Sequence, residues 1–416
     1  MYAMRRMVHH GDREIMSSKP PVSAKPAVGL IMSGGGARAA YQVGVLRALE
    51  EMLPRGVHNP FPIICGTSAG AINAAVLATD AGNFRRGVRR LMMVWKNFHV
   101  DHVYRADARG ALGNSARWVL AAISAGRLVD GAISLLDNAP LAGLLERHVD
   151  FPAIGRGVEA GHLTAFAVTC SGYTSGQSVT FYQGRTSLAG WERARRVGVA
   201  MPIGLPHLMA SSALPFIFPP VRINREYFGD GSMRQVAPVS PALHLGADRL
   251  LVIGVGRQTR LSNEPRQPKP PSPPPSSRVP ANGYPSLAQI AGHALDSIFL
   301  DGLEVDLERL QRINRTISII PPETLQAQGY PLRAVDFRVL TPSVPLSQIA
   351  AQHAHELPRV IGMLLRTIGG MKSTGSNLLS YVLFERSYCR ALIHLGYQDA
   401  MAQREDLVNF LGYGPR

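Results

Sequence analysis

Gly66-Thr67-Ser68-Ala69-Gly70 fits G-x-S-x-G, the pattern that stands a serine on a sharp strand-to-helix turn with its hydroxyl exposed. Small residues two places to either side let the strand and the helix come close. The helix behind aims its amide N–H groups at the serine, where negative charge would develop. Alone, the pentapeptide is also an ordinary tight turn. Upstream, Gly34-Gly35-Gly36-Ala37-Arg38-Ala39 forms a second glycine-rich turn between an apolar run and a helical pattern. Adjacent glycines let backbone N–H groups face an anion with no Cβ in the way. A phosphate would suit, since Gly34-x-Gly36-x-x-Ala39 fits the dinucleotide fingerprint. The tetrahedral oxyanion of acyl transfer, which donated N–H groups stabilise, would suit equally. The fingerprint wants a carboxylate at the end of the next strand, and that strand ends in Cys65-Gly66. A serine one strand–helix unit later makes the oxyanion the better reading, with nucleotide binding as the alternative.

A serine needs a base. In a conventional hydrolase triad an Asp or Glu, then a His, follow the serine. His244 and His293 lie downstream of Ser68, but neither sits in a recognisable motif, and a lone histidine is more often a packing or surface residue. Tyr227-Phe228-Gly229-Asp230-Gly231-Ser232 stands out instead, an aspartate between two glycines at the end of a short aromatic run. The glycines allow a tight turn that leaves the carboxylate unobstructed. A carboxylate within hydrogen-bond reach of a hydroxyl can serve as its general base. Gly-Asp-Gly is equally a plain turn.

Positioning these groups falls to two strand–turn–helix units. Ala27 to Met32 is an apolar run of strand length, followed by a helical pattern through Tyr41, Val45, Leu46 and Leu49 that stops before Pro54. Phe61 to Cys65 reads as a second buried strand and Ala69 to Ala78 as its helix. Repetition of this unit predicts an α/β fold with a central, mostly parallel sheet flanked by helices. Further helices are expected at 84–98, 115–125 and 141–148, and strands at 163–170, 178–182 and 249–255. After a stretch dense in Pro and Ser, the pattern predicts a helix over 287–313, a strand at Ile317-Ser318-Ile319-Ile320 and helices from 346 to 410 that pack on the sheet. The expected organisation is a flexible tail over 1–26, a catalytic domain over 27–262, a Pro/Ser-rich linker or loop over 263–286 and a mainly helical C-terminal region over 287–416.

At 416 residues, 46% hydrophobic and 18% charged, the chain is not disordered and can bury a core without disulfide staples. Cys65, Cys170 and Cys389 are odd in number and far apart, so free thiols in a reducing compartment are expected and zinc is not. No motif calls for a metal or a cofactor. The N-terminal segment lacks the apolar core of a secretory signal. Val197 to Val221 is charge-free and long enough to span a bilayer, but Pro202, Pro206, Pro215, Pro219 and Pro220 argue for turns instead. A cytoplasmic protein, peripherally associated with membrane, is the expectation. The net charge of +15 favours anionic partners. Arg85, Arg86, Arg89 and Arg90 share a predicted helix, either as a solvated face or as contacts to anionic lipid; nucleic acid is not expected.

In this order, the glycine-rich turn, the G-x-S-x-G turn and the later Asp-Gly resemble the patatin-like phospholipase family. Ala210-Ser211-Ser212-Ala213-Leu214-Pro215, running on to Phe218-Pro219-Pro220-Val221, looks like that family, as does Ser134-Leu135-Leu136-Asp137-Asn138 with Pro140-Leu141. The resemblance covers residues 27–255, and Leu379-Ser380-Tyr381 to Leu395-Gly396-Tyr397 is similar to C-terminal extensions of bacterial members. It implies a three-layer sandwich with a helical C-terminal extension. It also implies a lipid acyl hydrolase, most expected on phospholipids, that works through an acyl-enzyme with a Ser–Asp dyad in place of a triad. By motif, Ser68 is the implied nucleophile in an elbow of Gly66, Thr67, Ala69 and Gly70; Asp230 is the base, and the backbone around Gly34, Gly35, Gly36 and Arg38 is the oxyanion hole. The family's glycine turn ends in Gly where this chain has Ala39, and its aspartate precedes Gly-Gly or Gly-Ala where this chain has Gly231-Ser232. Neither departure removes a reacting group. A catalytically inactive lipid-binding module is the remaining alternative.

Overall fold

The computed structural model describes residues 26–105, 134, 136–256, 285–327, 332–367, 369–370 and 375–414. The tail over 1–25, the helix expected at 115–125 and the Pro/Ser-rich segment as far as residue 284 lie outside the described residues. Strands β1 (Val28–Met32), β2 (Ile63–Thr67), β3 (Ala165–Gly172), β4 (Ser178–Gly184), β5 (Trp191–Arg193), β6 (Arg196–Ala200), β7 (Val221–Ile223), β8 (Glu226–Asp230), β9 (Arg249–Ile253) and β10 (Asp336–Leu340) form one sheet. Its main path runs β10-β9-β1-β2-β3-β4-β6-β5, and β8 pairs with both β3 and β7. From β10 to β3 every neighbour is parallel. β4 and β8 both run antiparallel to β3.

The central strands are apolar on both faces, as parallel strands covered by helices on both sides must be. Leu30, Met32, Ile64, Phe166, Val168, Leu251 and Ile253 pack into one core with helices α1 (Ala40–Met52), α2 (Ala69–Thr79) and α3 (Phe84–Lys96). Their strand neighbours Ile31, Ile63, Cys65, Ala165, Ala167, Leu250 and Val252 point the other way. They pack against Leu245 after helix Ser240–His244 and against Leu303, Leu307 and Leu310 of helix Gly302–Ser318. The period of two thus divides each strand between two layers, and the three-layer α/β/α architecture follows.

The C-terminal helices are present and belong to the same core. Helix Arg386–Met401 crosses α1 at backbone contact: a Cβ on Gly44 would lie 2.0 Å from the Ile393 carbonyl oxygen, and one on Gly396 would lie 2.1 Å from that of Tyr41. Only glycine on both helices permits that approach. One expectation fails here. Ile317 to Ile320 is not a strand: Ile317 and Ser318 close helix Gly302–Ser318, whose period Leu303, Leu307 and Leu310 set, and Ile319 and Ile320 form the turn after it. The place beside β9 is taken by β10, with Phe337 and Val339 inward and Arg338 ion-paired to Asp336 and Asp406 outside. Val197 to Val221 divides into the end of β6, helix Leu205–Ser211 and turns, as its prolines predict. Among the described residues no helix is long and apolar enough to cross a membrane.

Candidate active site

Ser68 stands between β2 and α2 with φ 55° and ψ −132°, backbone that a non-glycine residue adopts only when its surroundings force it. The forcing is visible. A Cβ on Gly66 would lie 2.5 Å from the Ala71 Cα, and one on Gly70 would lie 2.3 Å from the Met32 carbonyl, so strand and helix close on the serine from both sides. The Ser68 amide donates to the Ser211 hydroxyl at 2.9 Å, and that hydroxyl donates to the Thr169 carbonyl at 2.7 Å. Carbonyl oxygen of Ser68 accepts from Ala71 and Ile72, which opens α2.

Asp230 reaches the serine by sheet register. β2 ends with Thr67 opposite Thr169 of β3, and β8, running the other way, ends with Asp230 opposite Cys170. Two strands therefore terminate head to head against consecutive residues of one neighbour, which sets Ser68 and Asp230 side by side. Glycine is required at the junction, because a Cβ on Gly231 would lie 2.1 Å from the Thr169 oxygen and 2.9 Å from Thr67 Cγ2. The Asp230 amide donates to the Ala213 carbonyl, and Oδ1 accepts the Ser232 amide at 2.9 Å. Ser68 helps to hold the carboxylate charge, yet Oδ2 has no fully formed hydrogen bond among the described residues. Such loose contacts are usual for reacting groups before substrate arrives. Complete burial pushes the Asp230 pKa up to about 6, against the lowering by Ser68 and Ser232.

The glycine turn faces the same space. Gly35 and Gly36 have φ 154° and 55°, and the chain then winds into a short 3-10 turn, Gly36–Ala39, ahead of α1. Amides of Gly35 and Gly36 have no hydrogen-bond acceptor among the described residues, whereas that of Arg38 donates to the Gly35 carbonyl at 3.1 Å. Gly36 and Ser68 border one cavity of about 890 Å³, open mouth included, walled by apolar side chains such as Leu91, Trp95, Leu145, Phe218 and Phe384. A family model for patatin-like phospholipases matches residues 30–243, just over half of the chain, and takes in the glycine turn, Ser68 and Asp230.

The chain belongs to the patatin-like phospholipase family.

Lysophospholipase nte1 of Aspergillus terreus is 43% identical over 84 residues, and that of Aspergillus oryzae 40% identical over 84 residues. Each match covers 19% of this chain and 5% of the relative, so the chain spans a small part of the curated relatives' length. Among solved structures, VipD from Legionella pneumophila aligns at 12% identity and TM-score 0.36, covering 92% of this chain and 68% of that one. Human GIVD cytosolic phospholipase A2 aligns at 13% identity and TM-score 0.39, covering 93% and 59%.

In this patatin-like chain several site neighbours carry no reacting group and so escaped the motifs. Ser211, the last residue of helix Leu205–Ser211, and Ala213, in the turn after it, hold Ser68 and Asp230 respectively. Both lie in the Ala210-Ser211-Ser212-Ala213 phrase, which marks the family but not the contacts. Gln42 and Asn73, both fully buried, join the two turns: the Gln42 amide donates to the Ser33 carbonyl, and the Asn73 amide donates to Ala39 and Gln42. Trp95, a cavity wall, donates its indole N–H to Asn73 at 2.8 Å. The candidate histidines lie elsewhere. His244 stacks on Trp191 at 4.8 Å, and His293 is exposed on helix Leu287–Asp296. Of the basic cluster, Arg85 pairs with the buried Glu50 at 3.0 Å, and Arg86 and Arg90 pair with the buried Asp80. Arg89 is exposed.

Proposed function

We propose that the chain hydrolyses carboxylic esters of lipids through an acyl-enzyme on Ser68, with Asp230 as the base. The observation that carries this reading is the head-to-head ending of β2 and β8, which sets a strained serine beside a buried, half-satisfied carboxylate at the edge of an apolar cavity. Asp230 Oδ2 takes the Ser68 proton as Oγ attacks the ester carbonyl carbon. The oxyanion meets N–H groups of the Gly34–Gly36 backbone, worth roughly 3–4 kcal/mol for each well-placed donor. Protonated Asp230 then returns the proton to the departing alcohol. Water, deprotonated by Asp230, attacks the acyl carbonyl, and Ser68 leaves with its proton restored.

An apolar lining of this kind suits an acyl chain, which fits relatives named lysophospholipase better than it fits a small polar ester. The nucleotide reading of the glycine turn fares worse: no carboxylate ends β2, and the space beside Gly36 is apolar. Labelling with a fluorophosphonate tests the reading, because it needs an activated serine. Wild-type protein should form one adduct at Ser68 and Ser68→Ala none, with hydrolysis of lysophospholipid reduced more than about a thousandfold. Labelling at another serine, or hydrolysis surviving in Ser68→Ala, would refute the assignment to Ser68; a wild type that neither labels nor hydrolyses would leave a lipid-binding module as the alternative.

A further inference from the structure

We infer that Arg38 is a positioning residue for ester hydrolysis, acting with Asp296, Asn377 and Tyr381 to hold the glycine turn against Ser68. The inference rests on the function proposed above. The turn contributes backbone N–H groups, and a backbone group points only where the chain holds it. Arg38 lies two residues after Gly36, and its side chain is buried, at 4% exposure.

A buried guanidinium needs its donors met, and here the partners among the described residues all lie within 296–381. Nε donates to the Ser380 hydroxyl at 2.8 Å, and Nη1 to the Tyr381 hydroxyl at 2.9 Å and Asp296 Oδ1 at 3.2 Å. Nη2 donates to Asn377 Oδ1 at 2.5 Å and to the Asn377 carbonyl at 3.5 Å. The ring is closed on the far side, where Tyr381 donates to Asp296 Oδ1 at 2.7 Å and Asn377 donates to Oδ2. The guanidinium also lies 3.7 Å from the centre of the Tyr381 ring.

The same tyrosine touches the turn and the cavity. Its carbonyl oxygen stands 2.3 Å from where a Cβ of Gly36 would be, and its ring borders the cavity that Ser68 borders. Phe299, stacked on Tyr381 at 5.3 Å, fills the space beside Gly34. Arg38 therefore pulls on the element that Tyr381 props from above. An anchor placed anywhere else in the fold would contribute stability alone. This one fixes the groups that must meet an oxyanion to within a fraction of an ångström, where misplacement by about 1 Å can cost on the order of a hundredfold in rate.

Arg38→Lys and Tyr381→Phe in the full chain test the idea with a short-chain nitrophenyl ester. Lysine keeps the charge but cannot make the planar fork. Phenylalanine keeps the ring, the cavity wall and the carbonyl against Gly36, and removes only the hydroxyl between Arg38 and Asp296. We expect kcat to fall roughly 10- to 100-fold in Arg38→Lys and roughly 3- to 10-fold in Tyr381→Phe. KM should stay within about threefold. The rate of fluorophosphonate labelling at Ser68 should fall in parallel with kcat, because the tetrahedral adduct uses the same donors. Unchanged kcat in both variants overturns the inference, as does a loss that vanishes on cooling to where both are fully folded. A wild type that neither hydrolyses the ester nor labels at Ser68 overturns the function itself, and the inference with it.

Discussion

Asp230 combines two demands that conflict. Burial lifts its pKa to about 6, which leaves it ionised at neutral pH yet basic enough to accept a hydroxyl proton. The rate should therefore rise with pH through a single limb near 6 and then level off. His244→Ala and His293→Ala should leave that limb in place, and Asp230→Asn should abolish turnover; a histidine variant as damaging as Asp230→Asn would restore the conventional triad. Stability should move the other way. Because the folded pKa lies above the unfolded one, the native state holds its proton longer. Wild-type stability falls between about pH 4 and 6 as the unfolded chain ionises first. Above that window a buried charge is retained at a cost on the order of 3 kcal/mol. Asp230→Asn should thus melt higher than wild type at pH 8, with the gap closing below pH 4, as scanning calorimetry would read. Equal melting temperatures at pH 8 would mean that the carboxylate is better solvated than its burial implies.

The end of helix Leu205–Ser211 and the turn after it hold both proposed reacting groups, through Ser211 to Ser68 and through Ala213 to Asp230. Ser211→Ala leaves the Ser68 amide and the Thr169 carbonyl without their partner, at about 1–3 kcal/mol for each buried group. We expect a matching drop in urea stability and a lower kcat as the strained elbow relaxes. Ser212→Ala, whose hydroxyl has no partner among the described residues, should change stability far less; equal effects would sink the argument. At this scale the sequence was legible where a signal is local. Gly66 to Gly70 and Gly34 to Gly36 interrupt apolar runs, so both turns and their flanking strands and helices could be read directly. Asp230 was visible only as a turn, since its meeting with Ser68 is a matter of register against β3, and register is written in no short window. β10 escaped for a related reason: one face is wet, and Asp336 and Arg338 broke the apolar run that marked the inner strands. Ile317 to Ile320 misled because three isoleucines in a run of four can close a helix as easily as make a strand.

The whole molecule carries +15, and its basic helix is less available than its charge suggested, since Arg85, Arg86 and Arg90 are bound to Glu50 and Asp80. The proposed docking on anionic lipid must then rest on exposed cations such as Arg89, each contributing on the order of 1 kcal/mol near a charged surface. Co-sedimentation with anionic vesicles should exceed that with neutral ones and fall steeply between roughly 0.05 and 0.5 M salt. Arg89→Glu should weaken it more than Arg85→Ala; binding that ignores both salt and lipid charge would point to apolar insertion instead. The Arg38 clamp has a different consequence, in time rather than in space. Arg38 and Ser380 are 342 positions apart, and Asn377 is made long after Asp230. At about 5–20 residues per second, roughly 7–30 s of synthesis separate the two. Through that interval the nascent chain holds Ser68 and Asp230, the proposed nucleophile and base, without the residues that brace the glycine turn. On the proposed function the site is thereby armed late, by the segment that also seals α1 against helix Arg386–Met401.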